Sequence, residues 1–326
     1  MTAGVAPGDG LSANLAETVE RARGRNKHAV ARLVAVFEDA RPSAAAQREQ
    51  VLDLLSDPRR QPTVLGITGT PGSGKSSLLA RLVPQLLAEE PELSIAVIAV
   101  DPASHVSGGA LLGDRTRTRF ATGEKRSFFR SQSNAAELGG LAPTTFQVSR
   151  LLKCLFDLVI VETVGIGQSE LDIRYLADHV YLVLQPLGGD EIQFLKAGII
   201  EIPDSFILNK CDDPAANQSY YQLRSSLSLA RPFDDELPAI LKTSARTGVG
   251  IDELSAAMRT VLGAAPRHSE AEREAHFFAR WIEDEWGATG KRYAAARGGA
   301  QALLADGFDP AQARFGPDII SWLSAH

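Results

Sequence analysis

The segment Gly69-Thr70-Pro71-Gly72-Ser73-Gly74-Lys75-Ser76 constrains this chain more than any other. It has the spacing G-x-x-x-x-G-K-[ST]. An apolar run, Thr63-Val64-Leu65-Gly66-Ile67-Thr68, precedes it and reads as a buried strand. A helical run from Ser77 to Val83 follows. Glycines let successive backbone N–H groups converge on phosphate oxygens, and the helix N-terminus adds partial positive charge. In such a loop Lys75 reaches the β- and γ-phosphates and Ser76 ligates Mg²⁺. Gly69, Pro71, Gly72, Ser73, Gly74 and Ser77 complete the expected phosphate cradle.

The remaining pattern extends the nucleotide fold. From Thr63 to about Leu262 short apolar runs at 63–68, 93–100, 156–162, 179–184, 205–209 and 239–243 alternate with helical stretches. That alternation predicts an α/β protein with a mostly parallel central sheet covered by helices on both faces. Helical extensions flank it. Residues 1–13 read as disordered, and a helical pattern runs from about Leu15 to Leu55, broken at Arg41-Pro42-Ser43. Within it Val30, Leu33, Val34 and Phe37 share one face. After Pro266 an amphipathic helix spans Ser269 to about Trp286, and Gly298-Gly299, Gly307 and Pro310 mark shorter pieces. The expected division is 1–60, a helical extension; 61–265, the P-loop nucleotide domain; and 266–326, a C-terminal helical extension. Pro84 falls inside the first helix of the domain and is expected to kink it.

The base and metal readers come next along the chain. Asn209-Lys210-Cys211-Asp212 closes the run Phe206-Ile207-Leu208. An Asp carboxylate there accepts guanine's N1–H and 2-amino group, and adenine offers neither donor, so GTP is preferred over ATP. Thr243-Ser244-Ala245 fits either a loop that braces the base or an ordinary helix N-cap. Asp101 ends a strand at the sheet's carboxyl edge and is a candidate ligand for Mg²⁺ or its water. Glu162-Thr163-Val164-Gly165 follows another strand, with Glu162 in the Walker B place and Gly165 able to approach the γ-phosphate. Asp114 lies on the following segment, a candidate mobile switch, but taken alone it reads better as a solvated loop acid. Asp190, Gln193 and Lys196, behind Gly188-Gly189, read as a row on one side of a helix, a pattern that on its own more often means a solvated face.

Taken together, Asp101-Pro102-Ala103-Ser104, Ser107-Gly108-Gly109 with Leu112-Gly113-Asp114-Arg115, Glu162-Thr163-Val164-Gly165-Ile166-Gly167-Gln168-Ser169-Glu170 and Gly189-Asp190-Glu191-Ile192-Gln193 resemble the MeaB/ArgK/MMAA family. These are P-loop GTPases that act as chaperones of adenosylcobalamin-dependent acyl-CoA mutases. The resemblance runs from about Gly24 to Leu262. It implies that Asp101 and Asp114 are acids of a first switch and that Glu162 is the Walker B acid near Mg²⁺. It also implies that Asp190, Gln193 and Lys196 belong to a third switch coupling nucleotide state to the mutase. The implied cofactors are GTP/GDP and Mg²⁺; the implied partner is an adenosylcobalamin-dependent mutase, and the implied assembly a homodimer. The chain departs from the family at Ser133-Asn134-Ala135-Ala136, where a glycine-containing turn is common, and its tail after Pro266 matches poorly, in a region that builds a dimerisation arm in relatives.

Composition narrows the alternatives. A net charge of −6 argues against a general nucleic-acid binder. No apolar run approaches ~18 residues and no signal peptide is evident, so a cytoplasmic protein without membrane partners is expected. A metallochaperone GTPase for nickel enzymes is the competing reading, and six His with two Cys offer no His-rich tract. A kinase of amino-acid transport would need to accept ATP, against which Asp212 argues. A housekeeping GTPase without a partner leaves the row at 190–196 unexplained.

Overall fold

The computed structural model of the chain describes residues 7–102, 123–134, 141–163, 170–186, 202–232 and 236–325. Each of two units is built around its own core: Gln61–Ala142 with Phe156–Arg267, and Met1–Arg60 with Pro143–Leu155 and His268–His326.

The first unit is a sheet of seven strands, β1 (Thr63–Gly69), β2 (Ile95–Pro102), β3 (Ser127–Asn134), β4 (Leu158–Glu162), β5 (His179–Leu184), β6 (Ser205–Leu208) and β7 (Ala239–Lys242). All pair in parallel, in the order β3-β2-β4-β1-β5-β6-β7. Every residue of β1 is buried, as expected of a central strand covered on both faces. The chain moves outward on one side of β1 through β2 and β3, then returns through β4 and proceeds on the other side through β5. Such a reversal opens a crevice at the carboxyl ends of the central strands.

Helices of the sheet unit close both faces. On one, α4 (Lys75–Glu89) and α8 (Ile251–Thr260) pack Leu78, Leu82, Leu254 and Met258 against Leu65, Ile67 and Ile160. Elsewhere α7 (Ala216–Ala230) packs Leu223 and Leu227 on Leu182 and Phe206. The seven-residue α6 (Glu170–Leu176) lies so close to β1 that a Cβ at Gly66 would stand 2.7 Å from Ile173 Cγ1. Pro84 sits inside α4, which continues as one element to Glu89 rather than breaking. One strand was not expected: β3 occupies the sheet edge, where a single partner suffices and the polar run Arg130-Ser131-Gln132 is tolerated.

The helical unit contains α1 (Pro7–Arg23), α2 (Lys27–Glu38), α3 (Ala45–Leu55), α5 (Pro143–Leu155), α9 (Glu270–Ala296), α10 (Ala300–Leu303) and α11 (Phe308–Ala325). Two expectations need correction. The first helix starts at Pro7, well before Leu15, and it stops at Arg23 because Arg25 turns to φ 57° and Asn26 caps α2 by accepting from the Ala29 N–H. The tail is not a set of short pieces, since α11 runs 18 residues through Pro310 and Pro317. Val30, Leu33, Val34 and Phe37 are all buried, as their spacing implies.

Within this unit the C-terminal helices fold onto α3 and α5. Phe146 stacks on Phe277 with ring centroids 4.6 Å apart, and Phe278 meets Phe308 edge-on at 5.4 Å. Asp309, 2% exposed, receives Arg48 Nε at 2.6 Å and Arg150 Nη1 at 2.7 Å. A buried carboxylate requires such paired donors, because a lone charge in that place would be strongly destabilising. Ser269 opens α9 with a reciprocal capping box to Glu272, and Gly287 interrupts it at φ 55°, ψ −144°. Ser269→Ala is expected to lower stability by about 1 kcal/mol, read as a shift in the urea midpoint at unchanged slope; an unshifted midpoint would show the cap to be idle. Among the described residues no helix is long and apolar enough to cross a membrane.

Candidate nucleotide site

The phosphate loop lies where β1 hands over to α4. Gly69 turns at φ 150° with its backbone against β5, so a Cβ there would stand 2.1 Å from the Val183 carbonyl oxygen. Ser73 closes the turn by donating from N and Oγ to the Thr70 carbonyl at 3.2 and 2.8 Å. Gly74, at φ 90°, takes the N-cap position of α4. Lys75 folds back over the loop, donating from Nζ to the Gly69 and Thr70 carbonyls at 2.7 and 3.0 Å. Its side chain is buried, which strengthens its attraction for an anion laid against the loop. Pro71 and Gly72 stay exposed at the tip, and Ser77 lies in the first turn of α4.

Beside the loop, Ser76 Oγ donates to Glu162 Oε1 at 2.7 Å. Glu162 ends β4, opposite Ile67 of β1 and Ala99 of β2. Asp101 lies in β2 two residues past Ala99, on the same carboxyl edge. A hydroxyl and a carboxylate next to a phosphate loop are hard oxygen donors, the set that suits Mg²⁺. Thr163 then pins the end of β4: its N–H donates to the Ile67 carbonyl and its Oγ1 to Thr68 Oγ1 at 2.9 Å.

Asn209 joins the loop to the base-reading segments. Its Nδ2 donates to the Ser73 carbonyl at 2.8 Å, while Oδ1 accepts from Thr243 Oγ1 at 3.3 Å and from the Ala245 N–H at 3.1 Å. A buried amide that ties the phosphate loop to the segment after β7 fixes their spacing. Lys210 adopts φ 59° and donates to Gln185 Oε1 at 2.6 Å. Asp212 receives Ser244 Oγ on one oxygen and pairs with the Arg246 guanidinium on the other. The Ser244 hydroxyl, with Arg246 beside it, holds the Asp212 carboxyl below its usual range, so it is an ionised acceptor at neutral pH. Ser244 is not a helix N-cap: α8 starts at Ile251 behind Gly250.

The structure therefore brings Gly69 to Ser77, Glu162, Asn209, Lys210, Asp212, Ser244 and Ala245 to one edge of the sheet. Asp114, Gly165, Asp190, Gln193, Lys196 and the Asp101 side chain lie outside the described residues. The motifs did not point to Arg246 or Arg81, because each acts through the fold rather than a local pattern. Arg81 Nη2 donates to the Arg246 carbonyl at 2.8 Å.

Comparisons with known proteins agree with this geometry. The family model described as methylmalonyl Co-A mutase-associated GTPase MeaB matches residues 30–286. GTPase ArgK of Escherichia coli is 34% identical over 270 residues, covering 80% of this chain and 81% of its own. The mitochondrial methylmalonic aciduria type A homolog of Mus musculus is 36% identical over 220 residues, 66% of this chain and 52% of its own. Among solved structures, an LAO/AO transport system kinase superposes with a TM-score of 0.61 at 27% identity, covering 87% of each chain. A match that spans the whole sheet unit and reaches into the helices at both of its ends settles the lineage: the chain belongs to the MeaB family of methylmalonyl-CoA mutase-associated GTPases.

Proposed function

We propose that this chain hydrolyses GTP to GDP and phosphate in order to gate loading of adenosylcobalamin onto an acyl-CoA mutase, and to protect or reactivate that enzyme. Methylmalonyl-CoA mutase, or a related isobutyryl- or 2-hydroxyisobutyryl-CoA mutase, is the partner. The observation that carries the reading is the family match across 30–286, joined to a base reader, Asp212, kept ionised by Ser244. In this reading Lys75 and the loop N–H groups hold the phosphates. Ser76, Glu162, Asp101 and Asp114 would hold Mg²⁺, which would supply positive charge to offset the negative charge that develops on the phosphates. Gly165 reports loss of the γ-phosphate. Asp190, Gln193 and Lys196 form the switch that the mutase arranges, so turnover is slow alone and faster with the partner, which favours the competent state by binding it more tightly. The protein works in the cytoplasm as a homodimer.

Single-turnover hydrolysis with and without the mutase tests this. The Gln193→Ala, Lys196→Ala double variant is expected to bind GTP almost normally and keep its slow rate. It should lose roughly tenfold or more of the stimulation, since coupling free energies of this size are usual. Undiminished stimulation would leave Gln193 and Lys196 with no part in coupling.

A further inference from the structure

α4 does more than build the phosphate loop. Arg81, a turn and a half beyond Lys75, sends its guanidinium to the loop after β7. There Nη2 donates to the Arg246 carbonyl at 2.8 Å and Nε donates to the Ala245 carbonyl. Gly248, at φ 90°, brings the loop within reach: a Cβ there would lie 3.5 Å from Arg81 Nη1. Neighbouring carbonyls of an irregular loop make a target that a planar fork of donors meets at two fixed points, a geometry that a compact ammonium on a flexible stem holds less rigidly. The residues so held are the ones around Asp212: Ser244 and Arg246 both contact its carboxylate, and the Ala245 N–H is taken by Asn209.

The helix after this loop is gripped separately. Gln85 Nε2 donates to Asp252 Oδ1 at 3.1 Å, Ser255 Oγ to Glu89 Oε2 at 2.6 Å and Arg259 Nη1 to Glu90 Oε1 at 3.2 Å. Leu254 and Met258 are sealed in the core below. Loss of Arg81 therefore loosens the loop, which Asn209 still holds at Ala245, and leaves α8 seated.

We propose that Arg81 is a positioning residue for base recognition, one that ties the loop bracing the base to the helix whose first turn holds the phosphates, and so sets how long a guanine nucleotide stays bound. It acts through the Ala245 and Arg246 carbonyls. Asn209 makes the parallel link from Ser73 to Ala245, but it is buried, while Arg81 is exposed and its bonds compete with water. One link is permanent framework and the other is adjustable. The inference rests on the guanine-nucleotide reading of the site.

The test is stopped-flow release of a fluorescent GDP from the full chain, in wild type, Arg81→Ala, Arg81→Lys and Arg259→Ala, with thermal unfolding recorded without nucleotide. Arg81→Ala is expected to release GDP roughly 5- to 20-fold faster, the effect of losing two charge-assisted bonds exposed to water. Its preference for GTP over inosine triphosphate, which lacks the 2-amino group, should shrink, while its unfolding temperature stays near that of wild type. Arg81→Lys should fall between, and Arg259→Ala should release at the wild-type rate. Wild-type release from Arg81→Ala overturns the proposal. Equal acceleration in Arg259→Ala does so too, because general loosening of α4 against α8 would then be the cause. A wild-type chain that holds no GDP overturns the guanine reading itself, and this inference with it.

Discussion

Lys75→Ala is expected to abolish tight GTP binding, with affinity falling by more than roughly a hundredfold. The ammonium is buried against the Gly69 and Thr70 carbonyls, so it is held in place before any phosphate arrives. Alanine removes the compact cation nearest the phosphates and leaves those two carbonyls without this donor. Preorganised charge in a partly desolvated site is worth far more than the same charge in water. Glu162→Ala should behave differently: binding is largely retained while hydrolysis falls, because Glu162 contacts Ser76 and, in the proposed function, would hold Mg²⁺ rather than the phosphates. Titration calorimetry with GTP and a phosphate-release assay separate the two. Equal GTPase rates in wild type and Lys75→Ala would remove the phosphate-site argument.

Asp212→Asn is expected to lower GTP affinity by roughly two orders of magnitude and to let xanthosine triphosphate bind better than GTP. The carboxylate offers only acceptors, matching guanine's N1–H and amino group. An amide offers one acceptor and a donor, which suits the additional carbonyl of xanthine. Ser244 and Arg246 keep the native group ionised, so the exchange of carboxylate for amide is not blurred by a protonated fraction near neutral pH. Calorimetry in which wild type binds ATP as tightly as GTP would end the guanine reading.

Much of this was legible from local pattern. A buried parallel strand must be apolar along its whole length, so β1, β2, β4 and β5 announce themselves, and the phosphate loop is a backbone device that leaves glycine spacing as its trace. β3 escaped because an edge strand pairs once and can carry Arg130, Ser131 and Gln132. The stop after Arg23 escaped because Arg25, not a glycine, takes the left-handed turn. The grouping of α5 with the terminal helices could not be read along the chain, since it depends on Phe146 and Arg150 meeting Phe277 and Asp309 from more than a hundred positions away. Asp212 was legible by motif, but its companions Arg246 and Arg81 were not, because only the folded loop brings them to it.

The path of the chain limits how such a protein can be taken apart. Three stretches make the helical unit and two make the sheet unit, with α5 inserted between β3 and β4. A fragment cut at 61 and 267 would keep α5 and discard its partners in the helical unit, stripping Phe146 of the Phe277 and Phe308 rings that cover it. Loss or replacement at the termini therefore removes only two of the three stretches of the helical unit, because α5 lies inside the chain of the sheet unit. Taking the whole helical unit away as one piece would need internal cuts on both sides of α5 as well.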